Sequence, residues 1–173
     1  MKSFLFATGL CLNALLSHAQ LIQPQDLYSV NSVWQSDAVD ADREAYKAIK
    51  LIDNNWSLTG KPTSDSNGFL AIYGFTKDHK QWYKSGTCVL ILMVDPSKPL
   101  HKTLIYQFTE KSTWDMYRNQ IDAMHPTVFG AGPHDGGNNI AYKVNGLIIG
   151  LTDYPPGIKD EERTYQVQIW KDK

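Results

Sequence analysis

Cysteine is nearly absent from this chain of 173 residues, which contains only Cys11 and Cys88. Cys11 lies in an N-terminal segment that we expect to be removed, so Cys88 would be alone in the mature chain. A lone cysteine excludes an intrachain disulfide and a metal site of the Cys-x-x-Cys kind. Cys88 lies in an apolar run over 87–94, and we therefore predict a buried and inert thiol.

Signature motifs of catalysis and of cofactor binding are absent as well. The sequence has no Gly-x-Ser-x-Gly, no phosphate-binding loop, no Gly-x-Gly-x-x-Gly and no His-Glu-x-x-His. Clustered Lys and Arg are also missing, and without Lys2 the chain has 17 − 1 = 16 basic residues against 18 acidic ones. We therefore predict no cofactor, no metal and no nucleic-acid partner.

The N-terminus has the pattern of a signal peptide. Lys2 precedes an apolar run over 4–16, and Ser17-His18-Ala19 places small residues at the expected cleavage point. The run is too short for a membrane anchor. We predict a signal peptide over 1–19 and one globular domain over 20–173, exported to the periplasm or secreted, with no stable membrane insertion after cleavage.

The most informative stretch of the mature chain is 139–152. Asn145-Gly146 separates two apolar runs, and both residues tolerate the positive φ that a two-residue hairpin requires. Such a turn would place Val144 opposite Leu147, Tyr142 opposite Ile149 and Ile140 opposite Leu151. All six side chains would then face the core.

Helical and strand periodicities alternate along the rest of the chain. We predict a short helix over 26–34 and longer helices over 37–54 and 111–124. Strands are predicted over 69–75, 81–94, 102–108 and 164–170, in addition to the hairpin. The fold class is therefore α+β, a two-layer sandwich in which two helices cover one face of an antiparallel sheet of about six strands. The order also suggests a tandem α-β-β-β repeat.

The strongest candidate for chemistry is a glycine-rich segment over 125–138, which we predict to be a loop. It holds two of the four histidines of the mature chain, His125 and His134, with Asp135 beside the second. A histidine beside a carboxylate can act as a base or bind a metal, and Asp153 at the end of the hairpin could join them. The same sequence is also good turn chemistry, which requires no function.

Three aromatic residues of the predicted strands are candidates for an exposed binding surface: Trp82, Tyr106 and Trp170. Such a surface favours a non-enzymatic module that binds another exported or envelope protein, of the inhibitor, immunity or accessory type. One alternative is a small hydrolase or metal-dependent enzyme that uses the segment 125–138. Another is a small-ligand domain with a pocket between helix and sheet, lined by Trp114, Tyr117 and the hairpin.

Overall fold

The computed structural model describes residues 22–65, 68–75, 88–95, 101–156 and 163–172, which form three helices and nine strands. The helices are α1 (Pro24–Trp34), α2 (Ala41–Ile52) and α3 (Lys111–Ala123). The strands are β1 (Ser57–Leu58), β2 (Thr63–Asp65), β3 (Gly68–Gly74), β4 (Cys88–Val94), β5 (Lys102–Phe108), β6 (Thr127–His134), β7 (Gly137–Val144), β8 (Leu147–Tyr154) and β9 (Thr164–Lys171).

All nine strands belong to one antiparallel sheet with the order β1-β3-β4-β5-β9-β8-β7-β6, while β2 pairs with β3 beside β1. The α+β class and the antiparallel pairing are therefore confirmed. The expected count of about six strands was too low, because β1, β2 and β6 were not predicted. The six predicted strands are arranged in mirrored order, β3-β4-β5 and then β9-β8-β7, on either side of the β5–β9 pair.

The predicted loop over 125–138 is wrong in most of its length. Residues Thr127–His134 form the edge strand β6, and Asp135-Gly136 turns the chain into β7. Glycine and proline argued against a strand here, but an edge strand tolerates both. Hydrogen-bonded and non-hydrogen-bonded residue pairs alternate along an antiparallel pair of strands, and His134–Gly137, which closes the two-residue hairpin, is a hydrogen-bonded pair. Pro133 is therefore in a non-hydrogen-bonded pair, and its nitrogen points away from β7 to the side on which none of the described strands pairs.

The predicted register of the 139–152 hairpin is confirmed. Val144 pairs with Leu147, Tyr142 with Ile149 and Ile140 with Leu151. The turn residues Asn145 and Gly146 have φ of 50° and 76°, the positive values that a two-residue turn of this hand requires. All six paired side chains belong to the core cluster or pack against it.

One face of the sheet, the helix-covered face, carries the core. The strands β3, β4, β5, β7, β8 and β9 contribute alternate residues to this core, such as Leu104, Tyr106 and Phe108 of β5. Side chains of all three helices pack against them. The predicted helix over 111–124 is confirmed as α3, and its apolar residues Trp114, Tyr117 and Ile121 are buried. Five apolar residues of α2 likewise lie on its packed side: Ala41, Ala45, Ala48, Ile49 and Ile52.

Two buried tyrosines bind the backbone of Ile22, two residues before the start of α1. The backbone N–H of Ile22 donates to the hydroxyl oxygen of Tyr106 at 3.3 Å. The hydroxyl of Tyr117 donates to the carbonyl oxygen of Ile22 at 2.9 Å. Ile22 is fully buried, so without these two hydroxyls both polar groups of its backbone would lack partners. The pair of bonds fixes the entry of the chain into α1.

We expect Tyr117→Phe to lower the free energy of unfolding by about 1–3 kcal/mol, because it leaves the buried Ile22 carbonyl without a donor. Urea denaturation of the chain from Gln20 measures the loss. Tyr28→Phe is the matched control, since the buried Tyr28 hydroxyl has no hydrogen-bond partner among the described residues. Its removal should be neutral or stabilising, and equal losses in both variants would contradict the assignment.

Gly146→Ala should destabilise the domain by about 1–2 kcal/mol, because alanine is strained at a φ of 76°. Steric contact plays no part, since a Cβ at Gly146 would meet nothing within 4 Å. Gly60→Ala provides the control, with equal open space and no positive φ. Thermal unfolding of both variants measures the difference in stability. If Gly60→Ala lowers stability as much as Gly146→Ala does, backbone strain at residue 146 is not the cause.

Candidate functional site

The two histidines of the 125–138 segment lie at opposite ends of β6. His125 is exposed after the end of α3, and its backbone N–H donates to the carbonyl oxygen of Asp122 at 3.0 Å. His134 is the last residue of β6 and pairs with Gly137. Seven residue steps along a strand separate Thr127 from His134, which is about 23 Å. His125 therefore shares no catalytic or metal site with His134 or Asp135.

Asp135 and Asp153 lie at the same end of the sheet but in different surroundings. Asp153 shares the helix-covered face with its neighbour Tyr165, and its two carboxylate oxygens accept from Arg163 Nη1 at 3.1 and 2.8 Å. Asp135 is in the β6–β7 turn near Tyr154. Burial, and secondarily the Asp135 carboxylate, raises the pKa of the Tyr154 hydroxyl. Of the four candidates, His125 therefore lies at one end of β6, while His134, Asp135 and Asp153 lie at the other end of the strand or beside it.

Metal coordination has no further support from the geometry. Within the described ranges, no group of three or more His, Cys, Asp or Glu side chains is placed to hold a metal ion. The Asp153 carboxylate already pairs with the Arg163 guanidinium, an ion pair that is half-exposed on the arginine side.

The three aromatic residues predicted to form a binding surface lie in different parts of the chain's structure. Tyr106 lies on the helix-covered face and is fully buried, so it cannot take part in an exposed surface. Trp170 lies on the opposite face, called here the second face, and is partly exposed. Trp82 lies outside the described residues.

The space between α3 and the sheet is filled by side chains. Trp114 stacks on Tyr165 with ring centroids 5.0 Å apart, and Tyr117 stacks on Phe108 at 5.9 Å. Tyr117 is fully buried and Trp114 nearly so. Trp114 and Tyr117 therefore belong to the packed core, and neither lines a cavity formed by the described residues.

Apolar side chains form a cross-strand group on the second face. Ile72 of β3 pairs with Ile91 of β4, which pairs in turn with Ile105 of β5. Leu70 and Met93 form a second pair beside this row. Leu70 is 38% exposed and the other four are partly exposed. These five residues are called the apolar strip.

A groove lies on the other half of the second face, between Trp170 and the edge strand β6. Its volume is about 420 Å³, and its lining comprises Phe129, Gly130, Ala131, Gly132, Pro133, Asn139, Ala141, Gln168 and Trp170. None of these side chains is ionisable. The sheet is hollow here because small residues lie side by side in one row of paired positions. Three of the four residues in that row are glycine or alanine: Gln168, Gly150, Ala141 and Gly130. We call it the Trp170 groove.

Sequence reasoning identified Trp170 but missed the groove around it. The signal was present, because Gly130, Ala141 and Gly150 are small residues within runs of otherwise strand-like sequence. Their alignment depends on the pairing of β6 with β7, and β6 was predicted to be a loop. Without that strand, the three small residues could not be placed side by side.

Cys88 is a core residue on the helix-covered face. Burial raises the pKa of its thiol to about 12; a hydrogen bond from Tyr106 opposes the shift, and the carboxylate of Glu110 adds to it. A thiol with such a pKa forms almost no thiolate at neutral pH and is a poor nucleophile. The expectation of a buried, inert cysteine agrees with this placement.

We expect Cys88 of the folded chain from Gln20 to resist a disulfide-based thiol reagent at pH 8, and to react fully once guanidinium unfolds the protein. Because the unfolded thiol loses its proton nearer pH 9.0 and the folded one only near pH 12, alkaline solution should favour unfolding across that window. Complete labelling of the folded protein within minutes would contradict this burial.

The chain matches no protein-family model, no curated protein and no solved structure. Among the described residues, no helix has both the length and the apolar character that a membrane crossing requires. The function of the chain therefore has to be inferred from its own side chains, above all those of the second face.

Proposed function

We propose that the protein is exported, is cleaved after Ala19, and acts as a non-enzymatic module that binds another exported or envelope protein. In this proposal the helices and the sheet form two layers, and the partner docks on the second face. The mirrored strand order around the β5–β9 pair supports an origin by duplication of an α-β-β-β unit.

The observation that carries the proposal is the apolar strip. Ile72, Ile91 and Ile105 are directly paired across three neighbouring strands, so their side chains form one continuous row. Branched apolar residues also occur on strands because they pack well there. Partial exposure of all five residues of the strip nevertheless favours a contact surface, since adjoining apolar side chains left in water mark interaction sites.

Trp170 extends the strip toward the centre of the sheet. It follows Leu70, Met93 and Thr103 in the second cross-strand row, and its ring lies 6.4 Å from that of His101. Large aromatic side chains at the centre of an interface often contribute most of its binding energy. A partner that covers the strip and one side of the Trp170 indole would bury apolar area without having to neutralise a charge.

The hydrolase alternative is not favoured by any observation on the described residues. Its four candidate residues are divided between the two ends of β6, with His125 at one end and the other three at the opposite end. A shared reaction would require hydrogen-bond distances among the groups that act together. Binding therefore accounts better for the side chains that this sheet exposes.

We expect the chain from Gln20 to retain one stoichiometric partner when it is used as bait for the envelope and culture fluid of its host, read by mass spectrometry. Leu70→Lys should reduce capture at least about tenfold, because it places a charge within the apolar contact. Leu70 already has 38% of its side chain in water, so the fold should tolerate the change.

The matched control is Leu51→Lys on α2, where the leucine is 87% exposed and remote from the sheet's second face. It should capture the partner as the unsubstituted chain does. Equal capture by Leu70→Lys would refute the apolar strip as the docking surface. If the unsubstituted chain retains no partner in moderate salt, in repeated experiments under several conditions, the binding proposal itself is refuted.

A further inference from the structure

We infer that the Trp170 groove binds an uncharged saccharide, with one sugar ring against the indole of Trp170. The groove contains none of the five residues of the apolar strip and shares only Trp170 with the proposed protein contact, so this inference does not rest on a protein partner. It assigns a ligand class to a site that the sequence did not reveal.

The shape of the groove is set by residues that lack side chains. Gly130 pairs with Ala141, Ala141 with Gly150, and Gly150 with Gln168, so that a shallow floor runs across four strands. A Cβ at Gly130 would meet nothing within 4 Å, which shows open space above this floor. The volume of about 420 Å³ is at the lower end of the range for small-molecule sites.

The indole of Trp170 is held in place and forms one wall. A Cβ at Gly150 would lie 3.4 Å from Cζ3 and 3.6 Å from Cη2 of Trp170, so the six-membered ring of the indole rests against that glycine. The His101 ring lies 6.4 Å away, measured between centroids. Phe129, which is 58% exposed, and Pro133 complete the lining on the β6 side. A flat, fixed aromatic ring suits the C–H face of a pyranose.

Two carboxamides supply the polar groups. Asn139 donates through Nδ2 to the hydroxyl oxygen of Thr152 at 2.7 Å, which fixes the amide plane. Within the described part of the chain, neither Asn139 Oδ1 nor the Gln168 carboxamide has a hydrogen-bond partner, so both donors and acceptors remain for a ligand. A sugar hydroxyl can donate one hydrogen bond and accept another, so it can pair with both the N–H group and the oxygen of a carboxamide.

The absence of charge in the lining selects among ligands. No ionisable side chain lines the groove, so a phosphate, a carboxylate or an ammonium group would lose its hydration without an opposite charge in return. A proline-rich peptide would suit the aromatic walls but lacks N–H donors at proline, and would leave Asn139 Oδ1 without a donor. A neutral, hydroxylated ring is the ligand class that uses all of these groups.

The test is isothermal titration of the chain from Gln20 with two uncharged probes, the β-1,4-linked trisaccharides of glucose and of N-acetylglucosamine. We expect saturable binding of at least one, with an affinity that changes by less than about twofold when salt is raised to about 0.5 M, because no charge pair is formed. Titration with an oligoproline peptide tests the peptide reading of the same groove.

Four variants locate the site. Trp170→Ala should weaken binding at least about tenfold and Trp170→Phe less, because phenylalanine keeps an aromatic face. Gly130→Leu should also weaken it at least about tenfold, since the new side chain would fill open space above the floor. Gln168→Leu should weaken it by about fivefold to tenfold through the lost hydrogen bonds.

Leu51→Ala is the control on the helix side, and thermal unfolding of each variant checks that the fold is retained. Absence of saturable binding with both trisaccharides overturns the inference, as does binding that survives both Trp170→Ala and Gly130→Leu. Binding of oligoproline in place of the sugars overturns it too. Leu70→Lys should bind the sugar normally, so failure of the protein-partner proposal can be told apart from failure of this one.

Discussion

The structure depends on the pairing of β5 with β9 and on the aromatic side chains that cover it. These strands join the two mirrored halves of the sheet, and among the described strands no other pair does so. Phe108 of β5 lies beside Tyr165 of β9, and Tyr117 of α3 packs on Phe108. Because α3 also links β5 to β6 along the chain, one helix connects the halves and seals their junction.

The aromatic packing on the helix-covered face also determines which side chains of the sheet remain exposed for recognition. Tyrosines whose hydroxyls are bonded within the core, such as Tyr106 and Tyr117, hold the chain before α1 and are withdrawn from solvent. The second face receives smaller and more mixed residues. The isoleucines of the apolar strip lie on β3, β4 and β5, while the small residues and the two amides of the Trp170 groove lie toward β6. One sheet therefore presents two chemically distinct surfaces side by side.

Residue patterns predicted the parts of this fold that local rules control. The Asn145-Gly146 turn fixed the hairpin register, because two consecutive positive φ values allow little else. The helix over 111–124 was equally clear. The core-facing side of β5 was not, since Leu104-Ile105-Tyr106 is apolar on both faces of the strand. Only the polar residues Thr103 and Gln107 indicate that Ile105 points away from the core while Tyr106 points into it.

Prediction failed where long-range pairing outweighs local preference. Gly130, Gly132 and Pro133 disfavour a strand in isolation, and only the neighbouring β7 makes β6 a strand. The catalytic hypothesis failed to gain support for the same reason: a loop can bring His125 back to Asp135, whereas an extended strand holds them apart. The groove could not be foreseen, because its floor exists only when four strands lie in register.

The composition of β6 has a consequence for the behaviour of the protein at high concentration. An edge strand with no charged side chain from Thr127 to Pro133, and with Val128 and Phe129 exposed, would ordinarily recruit the edges of other chains and grow into aggregates. Two backbone features oppose this growth. The bulge between Val128 and Gly130 interrupts the spacing of the free groups, and Pro133 removes one outward N–H. Colloidal stability at this edge therefore rests on backbone geometry and not on electrostatic repulsion.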